Sequence, residues 1–204
     1  MDRKQHWETV YETKNPDQVS WTQKRPSTSL DFISSFGADK NAKIIDIGGG
    51  DSNLVDHLLE EGYQNITVLD ISAKAIEKAQ MRLGARAKQV NWIVSDVIEF
   101  IPTEKYDIWH DRAAFHFLTS PNDISKYAAI VAENEVKNMI IATFSEKGPL
   151  KCSGLEISQY SEKSILQHLS AQFELIDFKT EDHITPFDTT QNFLYCSFKR
   201  KMGL

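Results

Sequence analysis

Residues 43–54 read KIIDIGGGDSNL, and this stretch decides the fold. KIIDI is a short, mostly apolar run with an acid, Asp46, near its end, which predicts a strand buried inside a sheet. Three glycines follow, and behind them LVDHLLEEG (54–62) places Leu54, Val55, Leu58 and Leu59 on one helical face, with Gly62 as the stop. A strand, a glycine turn and a helix in that order open a βαβ unit. Gly48 and Gly50 let the backbone approach a ligand closely, because neither carries a side chain.

The same alternation continues downstream. NITVLD (65–70) reads as the next strand, and Ser72 caps the helix AKAIEKAQMRLG (73–84), whose Ile76, Ala79 and Leu83 face inward. QVNWIVSD (89–96), YDIWHD (106–111) and VKNMIIATF (136–144) are further strands, and Ser120-Pro121 opens a helix between the last two. After a helix from Ser161 to Ala171, FELIDFKTED (173–182) and NFLYCSFKR (192–200) are joined by a connection too short for a helical crossover, so they pair antiparallel. The expected architecture is α/β: a Rossmann-like three-layer sandwich around a mostly parallel seven-stranded sheet with a C-terminal antiparallel strand pair. Ahead of it, residues 3–36 hold two amphipathic helical pieces, around WETVYE and SLDFISSF, joined by a polar stretch carrying Trp21. The organisation predicted is a single domain over 1–204, with 1–40 as an N-terminal helical flap and 41–204 as the core.

Composition narrows the classes of function. With 204 residues, 41% hydrophobic and 25% charged, the chain has the make-up of one ordinary globular domain. A net charge of -6 argues against sequence-independent binding of nucleic acid, which depends on Lys and Arg neutralising phosphates. Cys152 and Cys196 stand far apart, outside any CxxC or His-rich spacing, so neither a disulfide framework nor a metal site is expected. The N-terminus has no apolar core of signal-peptide length and no segment has the length of a membrane span, so the expectation is a cytoplasmic protein, monomeric or weakly dimeric.

The glycine turn admits two classes of adenosine ligand. Gly48, Gly50 and Asn53 fall on the glycine positions of the GxGxxG dinucleotide fingerprint, and Asn53 in the third position weakens the NAD reading. Asp70 ends the second strand, 20 residues after Gly50, where an acid accepts hydrogen bonds from ribose hydroxyls. Asp96 ends the third strand at the height of an adenine amino group.

Taken together these residues resemble the class I S-adenosylmethionine-dependent methyltransferases, over residues 40 to 200. The family's first motif stands here as Asp46-Ile47-Gly48-Gly49-Gly50, with Ser52 where a further small residue is common. Its ribose acid matches Asp70, followed by Ile71, and its adenine-edge acid matches Asp96, followed by Val97. The resemblance implies S-adenosyl-L-methionine as cofactor, with Asp46 either contacting it or orienting the turn through backbone N–H groups. HWETVY with Trp21, and the stretch WHDRAAFHFL, resemble a subgroup of small methyltransferases that includes protein-lysine methylating members. That implies Trp7, Tyr11 and Trp21 as a lid over the methionine end of the cofactor.

Asp111 and His116 follow the fourth strand, where open α/β sheets place ligands, and are the candidates for holding or deprotonating the methyl acceptor. The acceptor expected is a protein side chain, lysine included, or a small molecule. His110-Asp111-Arg112-Ala113 stands where amino-methylating DNA enzymes of this fold carry Asn- or Asp-Pro-Pro-Tyr, and neither cysteine follows a proline, so nucleic acid is not expected. Two alternatives stay open: a nicotinamide-dependent oxidoreductase, against which the missing Tyr-x-x-x-Lys pair counts, and a non-catalytic cofactor-binding scaffold.

Overall fold

A computed structural model describes residues 2–202. Met1, Gly203 and Leu204, which the expected 1–204 domain includes, lie outside the described residues. Strands β1 (Lys43–Ile47), β2 (Asn65–Asp70), β3 (Val90–Val94), β4 (Ile108–Arg112) and β5 (Asn138–Phe144) run parallel. A short hairpin, β6 (Lys151–Cys152) and β7 (Leu155–Glu156), precedes β8 (Phe173–Ile184) and β9 (Thr190–Arg200). The seven-stranded sheet has the order β3-β2-β1-β4-β5-β9-β8, with β9 antiparallel to both of its neighbours. Chain progression turns round between β1 and β4, and that switch point opens a crevice at the carboxyl ends of the strands.

Six helices cover the sheet: α1 (Arg3–Thr13), α2 (Ser27–Ser35), α3 (Leu54–Glu60), α4 (Ala73–Leu83), α5 (Pro121–Glu133) and α6 (Glu162–Leu169). Strand alternation sorts them into layers. Trp109, Met139, Ile141, Leu194 and Cys196 point to the face packed by α5 and α6 through Tyr127, Val131, Ile165 and Leu169. Ile108, Ile140, Ala142, Phe193 and Tyr195 point to the other face, against Leu30 and Ile33 of α2, Leu54, Val55 and Leu58 of α3 and Leu83 of α4. This is the expected three-layer sandwich.

Side-chain caps start the helices where the sequence placed them. Ser72 Oγ accepts from Ala75 N at 3.2 Å, Ser120 Oγ from Asp123 N at 3.1 Å and Ser161 Oγ from Ser164 N at 3.3 Å. The antiparallel pair is longer than predicted, in register from Phe173 opposite Arg200 to Ile184 opposite Thr190, with an irregularity between Leu175 and Asp177. β4 extends through Arg112, one residue past its predicted end. Among the described residues, no helix is long and apolar enough to cross a membrane.

The N-terminal segment is clamped to the core. Glu8 on α1 accepts from Ser72 Oγ at 2.9 Å, Ala73 N at 2.9 Å and Lys74 N at 3.1 Å, which places a carboxylate on the positive end of α4. Asn53 donates to Gln23 O at 2.8 Å and Lys24 O at 3.4 Å, so the residue in the third fingerprint position ties the segment between α1 and α2 to the start of α3.

Candidate functional site

The glycine turn leaves β1 and folds back on β2. Gly48 N donates to Leu69 O at 2.8 Å, Gly49 N to Leu69 O at 3.3 Å and Gly50 N to the Asp70 carboxylate at 3.0 Å. The turn therefore offers a ligand space and not free N–H donors. A Cβ on Gly50 would lie 2.5 Å from both Ala75 Cβ and Asp70 Oδ2, and a side chain on Gly48, at φ +65, would meet Ala114 at 2.9 Å. At all three positions a Cβ would collide with neighbouring protein atoms, so the glycines let the turn pack closely against Asp46, Asp70, Ala75 and Ala114.

Asp70 is 4% exposed, and its second oxygen accepts from Ser72 N at 2.8 Å. Burial pushes its carboxyl up to about 7, against the hydrogen bonds from Ser72 and Gly50, with further upward pressure from Asp46 and Glu8. Each oxygen keeps a further lone pair for a ligand hydroxyl.

Beside it an open cleft lies across the carboxyl ends of β1, β2, β3 and β4. Gly48, Asp70, Ile71, Asp96 and Val97 line it from the sheet, and Trp7, Tyr11 and Trp21 line it from the N-terminal segment. Sequence reasoning thus brought eight of its candidate residues to one cleft. Trp7 meets Trp21 edge-on at 5.7 Å and Phe117 at 5.1 Å, forming an aromatic wall. Asp96 caps the short 3-10 turn Val97–Glu99, accepting from Ile98 N at 3.2 Å, and faces Arg3 Nε at 3.7 Å.

The remaining candidates stand elsewhere. Asp46 and Gly49 line a smaller chamber adjoining the cleft, and Gly50 lies behind Asp70. The Asp46 carboxylate does not orient the turn through its N–H groups: one oxygen is hydrogen-bonded to His110 Nδ1 at 2.7 Å, and His110 Nε2 meets Ser29 Oγ of α2 at 2.9 Å. The other Asp46 oxygen is buried against Gly49 and has no partner among the described residues.

Asp111 and His116 are corrected more sharply, because neither lines the cleft. Asp111 is fully buried; one oxygen accepts from Ala114 N at 3.1 Å and Phe115 N at 3.0 Å, the other from Tyr127 Oη at 2.9 Å. Tyr127 Oη in turn accepts from Trp109 Nε1 at 2.8 Å. Burial pushes the Asp111 carboxyl up to about 6, against the hydrogen bonds it receives. His116 is also fully buried, its Nδ1 accepts from Phe144 N at 3.3 Å, and burial with the nearby Arg112 charge lowers it to about 3, so the ring is neutral. Both residues shape the loop after β4 and line neither the cleft nor the adjoining chamber.

Arg3, Ser95, Arg112, Leu118 and Cys152 also line the cleft, and the sequence marked none of them as a site residue. The Cys152 thiol is 4% exposed and pushed up by burial to about 11, so it is protonated at neutral pH. For Arg112 the signal was its place at the end of a central strand; the sequence reading assigned that place to Asp111.

Comparison with known proteins agrees with this geometry. Residues 45–133 match the family model described as a methyltransferase domain. A malonyl-[acyl-carrier protein] O-methyltransferase from Anoxybacillus flavithermus is 34% identical over 107 residues, covering 51% of this chain and 39% of the relative. One from Ilyobacter polytropus is 30% identical over 106 residues, covering 52% and 39%. The chain thus spans well under half the length of the curated relatives it matches. Among solved structures, a Burkholderia thailandensis 1,6-didemethyltoxoflavin-N1-methyltransferase with bound S-adenosylhomocysteine has a TM-score of 0.70 at 16% identity, covering 97% of this chain and 87% of that one. The N-methyltransferase NodS from Bradyrhizobium japonicum, also with S-adenosylhomocysteine, gives 0.71 at 12% identity, covering 98% and 99%. Residues 45–133 thus match a methyltransferase domain, and the sheet has the fold of solved methyltransferases that bind S-adenosylhomocysteine.

Proposed function

We propose that the protein transfers a methyl group from S-adenosylmethionine to an acceptor that is a small molecule or is borne on a carrier. The observation that carries this reading is the cleft at the switch point, with Asp70 fixed at its floor 3.0 Å from Gly50 N and Trp7, Tyr11 and Trp21 forming its outer wall. In this reading Asp70 takes the ribose hydroxyls, Asp96 and Val97 the adenine edge, and Gly48 with the unpartnered oxygen of Asp46 faces the amino-acid end. The N-terminal flap is the lid, held by Glu8 and Asn53.

The bound cofactor supplies a methyl group on a sulfonium, already activated for displacement. The chain's residues have to align and dry the reactants. Asp70, Asp96 and Val97 would hold the cofactor for transfer of its methyl carbon to a lone pair of the acceptor, with sulfur keeping the electron pair of the broken carbon–sulfur bond. Asp111, read from the sequence as a candidate for holding or deprotonating the acceptor, is committed to the interior. The curated relatives named above act on malonyl-[acyl-carrier protein], and these two points favour the small-molecule or carrier-borne acceptor over protein lysine. The oxidoreductase alternative fits less well, since Asn53 in the third fingerprint position is engaged with Gln23 and Lys24.

Calorimetric titration with S-adenosylmethionine, S-adenosylhomocysteine and NAD tests the reading. Micromolar binding of the first two, lost in Asp70→Ala, is the expected result. Binding of NAD alone, or of none of the three, overturns it.

A further inference from the structure

Arg112 is the residue at the cleft whose charge the fold leaves uncompensated. Its hydrogen bonds run to neutral groups: Nε donates to Tyr195 Oη at 2.9 Å and Nη1 to Trp21 O at 2.9 Å. Its guanidinium carbon lies 4.5 Å from the centre of the Phe193 ring. Nη2 is buried and has no hydrogen-bond partner among the described residues. Arg82 is paired with Asp51 and Asp56, and Arg3, the other arginine of the cleft, with Asp123; Arg200, which does not line the cleft, shares the unpaired pattern of Arg112.

A guanidinium half withdrawn from water, with no carboxylate against it and one donor idle, costs free energy unless a ligand supplies the anion. Its field reaches the neighbours: after burial itself, Arg112 is the next cause that lowers His116 and His183. Arg112 lines both the main cleft and the adjoining chamber, so the side chain with the buried idle donor borders the space open to reactants. The fork around it is rigid, because Tyr195 on β9 and Trp21 on the flap hold two of its three nitrogens and Phe193 stacks on the plane. Such a held fork selects a planar anion over a point charge.

We propose that Arg112 is a carboxylate-binding residue of the cleft. This rests on the methyl-transfer reading above and narrows it. Asp70, Asp96 and the other candidates for the adenosine part lie on the β2 and β3 side, whereas Arg112 projects from the end of β4 toward β9, on the side left for the second reactant. That placement favours an acceptor bearing a carboxylate. The cofactor's own amino-acid carboxylate is the same chemistry from a second source.

The test is calorimetric binding on the full chain, wild type beside Arg112→Met and Arg112→Lys, with folding checked by circular dichroism. One arm titrates malonate, and malonamide as its neutral counterpart, into protein saturated with S-adenosylhomocysteine. The other compares S-adenosylhomocysteine with 5′-methylthioadenosine, which lacks the amino-acid end. An acceptor carboxylate predicts that malonate binds, that malonamide does not, and that Arg112→Met weakens malonate at least tenfold while the cofactor ratio stays as in wild type. A cofactor carboxylate predicts that the preference for S-adenosylhomocysteine over 5′-methylthioadenosine shrinks at least tenfold in Arg112→Met. In either case Arg112→Lys, a point charge without the fork, recovers part of the loss. If Arg112→Met does not fold, the guanidinium ¹⁵N resonances of Arg112 in the wild type give the same answer, shifting with malonate or S-adenosylhomocysteine and not with the neutral counterparts. Wild-type binding of S-adenosylhomocysteine with no dependence of any carboxylate on Arg112 overturns this inference alone. No binding of S-adenosylhomocysteine by the wild type overturns the methyl-transfer reading itself.

Discussion

Asp111→Asn separates a structural acid from a catalytic one. In the native protein the chain of donors runs from Trp109 Nε1 to Tyr127 Oη at 2.8 Å and from Tyr127 Oη to Asp111 at 2.9 Å, with Ala114 N and Phe115 N on the other carboxylate oxygen. An asparagine in the same place keeps an oxygen for the two backbone donors and turns its amide toward Tyr127. The hydroxyl then receives two donors and its own proton has no acceptor. Tyr127 is fully buried, so water cannot replace the lost partner. A buried donor left unmade costs about 1–3 kcal/mol, and in a domain of this size each kcal/mol lowers Tm by about 2–4 °C. Part of that cost is offset because the native carboxylate is itself strained by burial, which pushes it up to about 6. Urea denaturation at pH 7.5 should show a lower midpoint with an unchanged slope. The double variant with Tyr127→Phe should show a non-additive loss, since the two residues share one hydrogen bond. Affinity for S-adenosylhomocysteine, measured on the folded fraction, should stay within about threefold of wild type, well under 1 kcal/mol. An Asn variant as stable as wild type, or one that is stable yet loses cofactor affinity or turnover a hundredfold, would refute the assignment of Asp111 to the interior.

Other outcomes follow from the same geometry. Because Asp70 titrates near 7 and must be ionised to accept from two hydroxyls, affinity for S-adenosylhomocysteine should rise with pH up to about 7 and then level off, by at most about tenfold per pH unit below that point. Calorimetry on Asp70→Asn should show a weaker and flat profile, and a pH-independent wild type would refute the role. The sign for stability of the ligand-free protein is the reverse: a carboxyl raised from about 3.9 in the unfolded chain gives stability that is present below that value and lost as pH rises through about 7. Gly50→Ala forces a Cβ to within 2.5 Å of Ala75 Cβ and Asp70 Oδ2, so it should abolish cofactor binding and lower stability by about 1–3 kcal/mol, read by titration and urea melts. Glu8→Ala removes the carboxylate that holds α1 on the start of α4, and should cost about 1 kcal/mol, expose the N-terminal segment to proteolysis and weaken S-adenosylhomocysteine severalfold. Trp21→Ala should weaken the cofactor while leaving the far-ultraviolet spectrum unchanged, and a variant that binds as wild type would leave the lid without support.

The fold was legible because its signals are local. β1 and β2 have the predicted limits, since each is an apolar run closed by an acid or a glycine, and Ser72, Ser120 and Ser161 cap helices by the hydrogen bonds their types imply. Much of the cleft was legible for the same reason: Asp70 and Asp96 end or follow strands whose ends the sequence marks. What the sequence does not carry is the far partner. That Glu8 sits on α4, that Asn53 holds the flap, or that His110 bridges Asp46 to Ser29 depends on contacts spanning 30 to 81 residues, and no spacing rule connects them.

The misreading of Asp111 has a narrower cause, in strand parity. Side chains on a strand alternate between faces, so ending β4 at Asp111 makes that acid the residue at the mouth of the sheet. The strand in fact continues to Arg112, paired with Ala142 of β5. Trp109 and Asp111 then share the face covered by α5, where Tyr127 meets both, whereas His110 and Arg112 share the face toward α2 and β9. Ala113, at φ 66, breaks the strand and turns the loop back so that Ala114 and Phe115 can donate to Asp111. The carboxylate thus goes to the core, where its hydrogen bonds offset burial, and Arg112, on the opposite face, borders the cleft with one buried donor unused. For a cleft whose cofactor side already holds Asp70 and Asp96, a cation in place of an acid at the end of β4 reverses the charge on the side left for the acceptor and favours an acceptor that carries an anion.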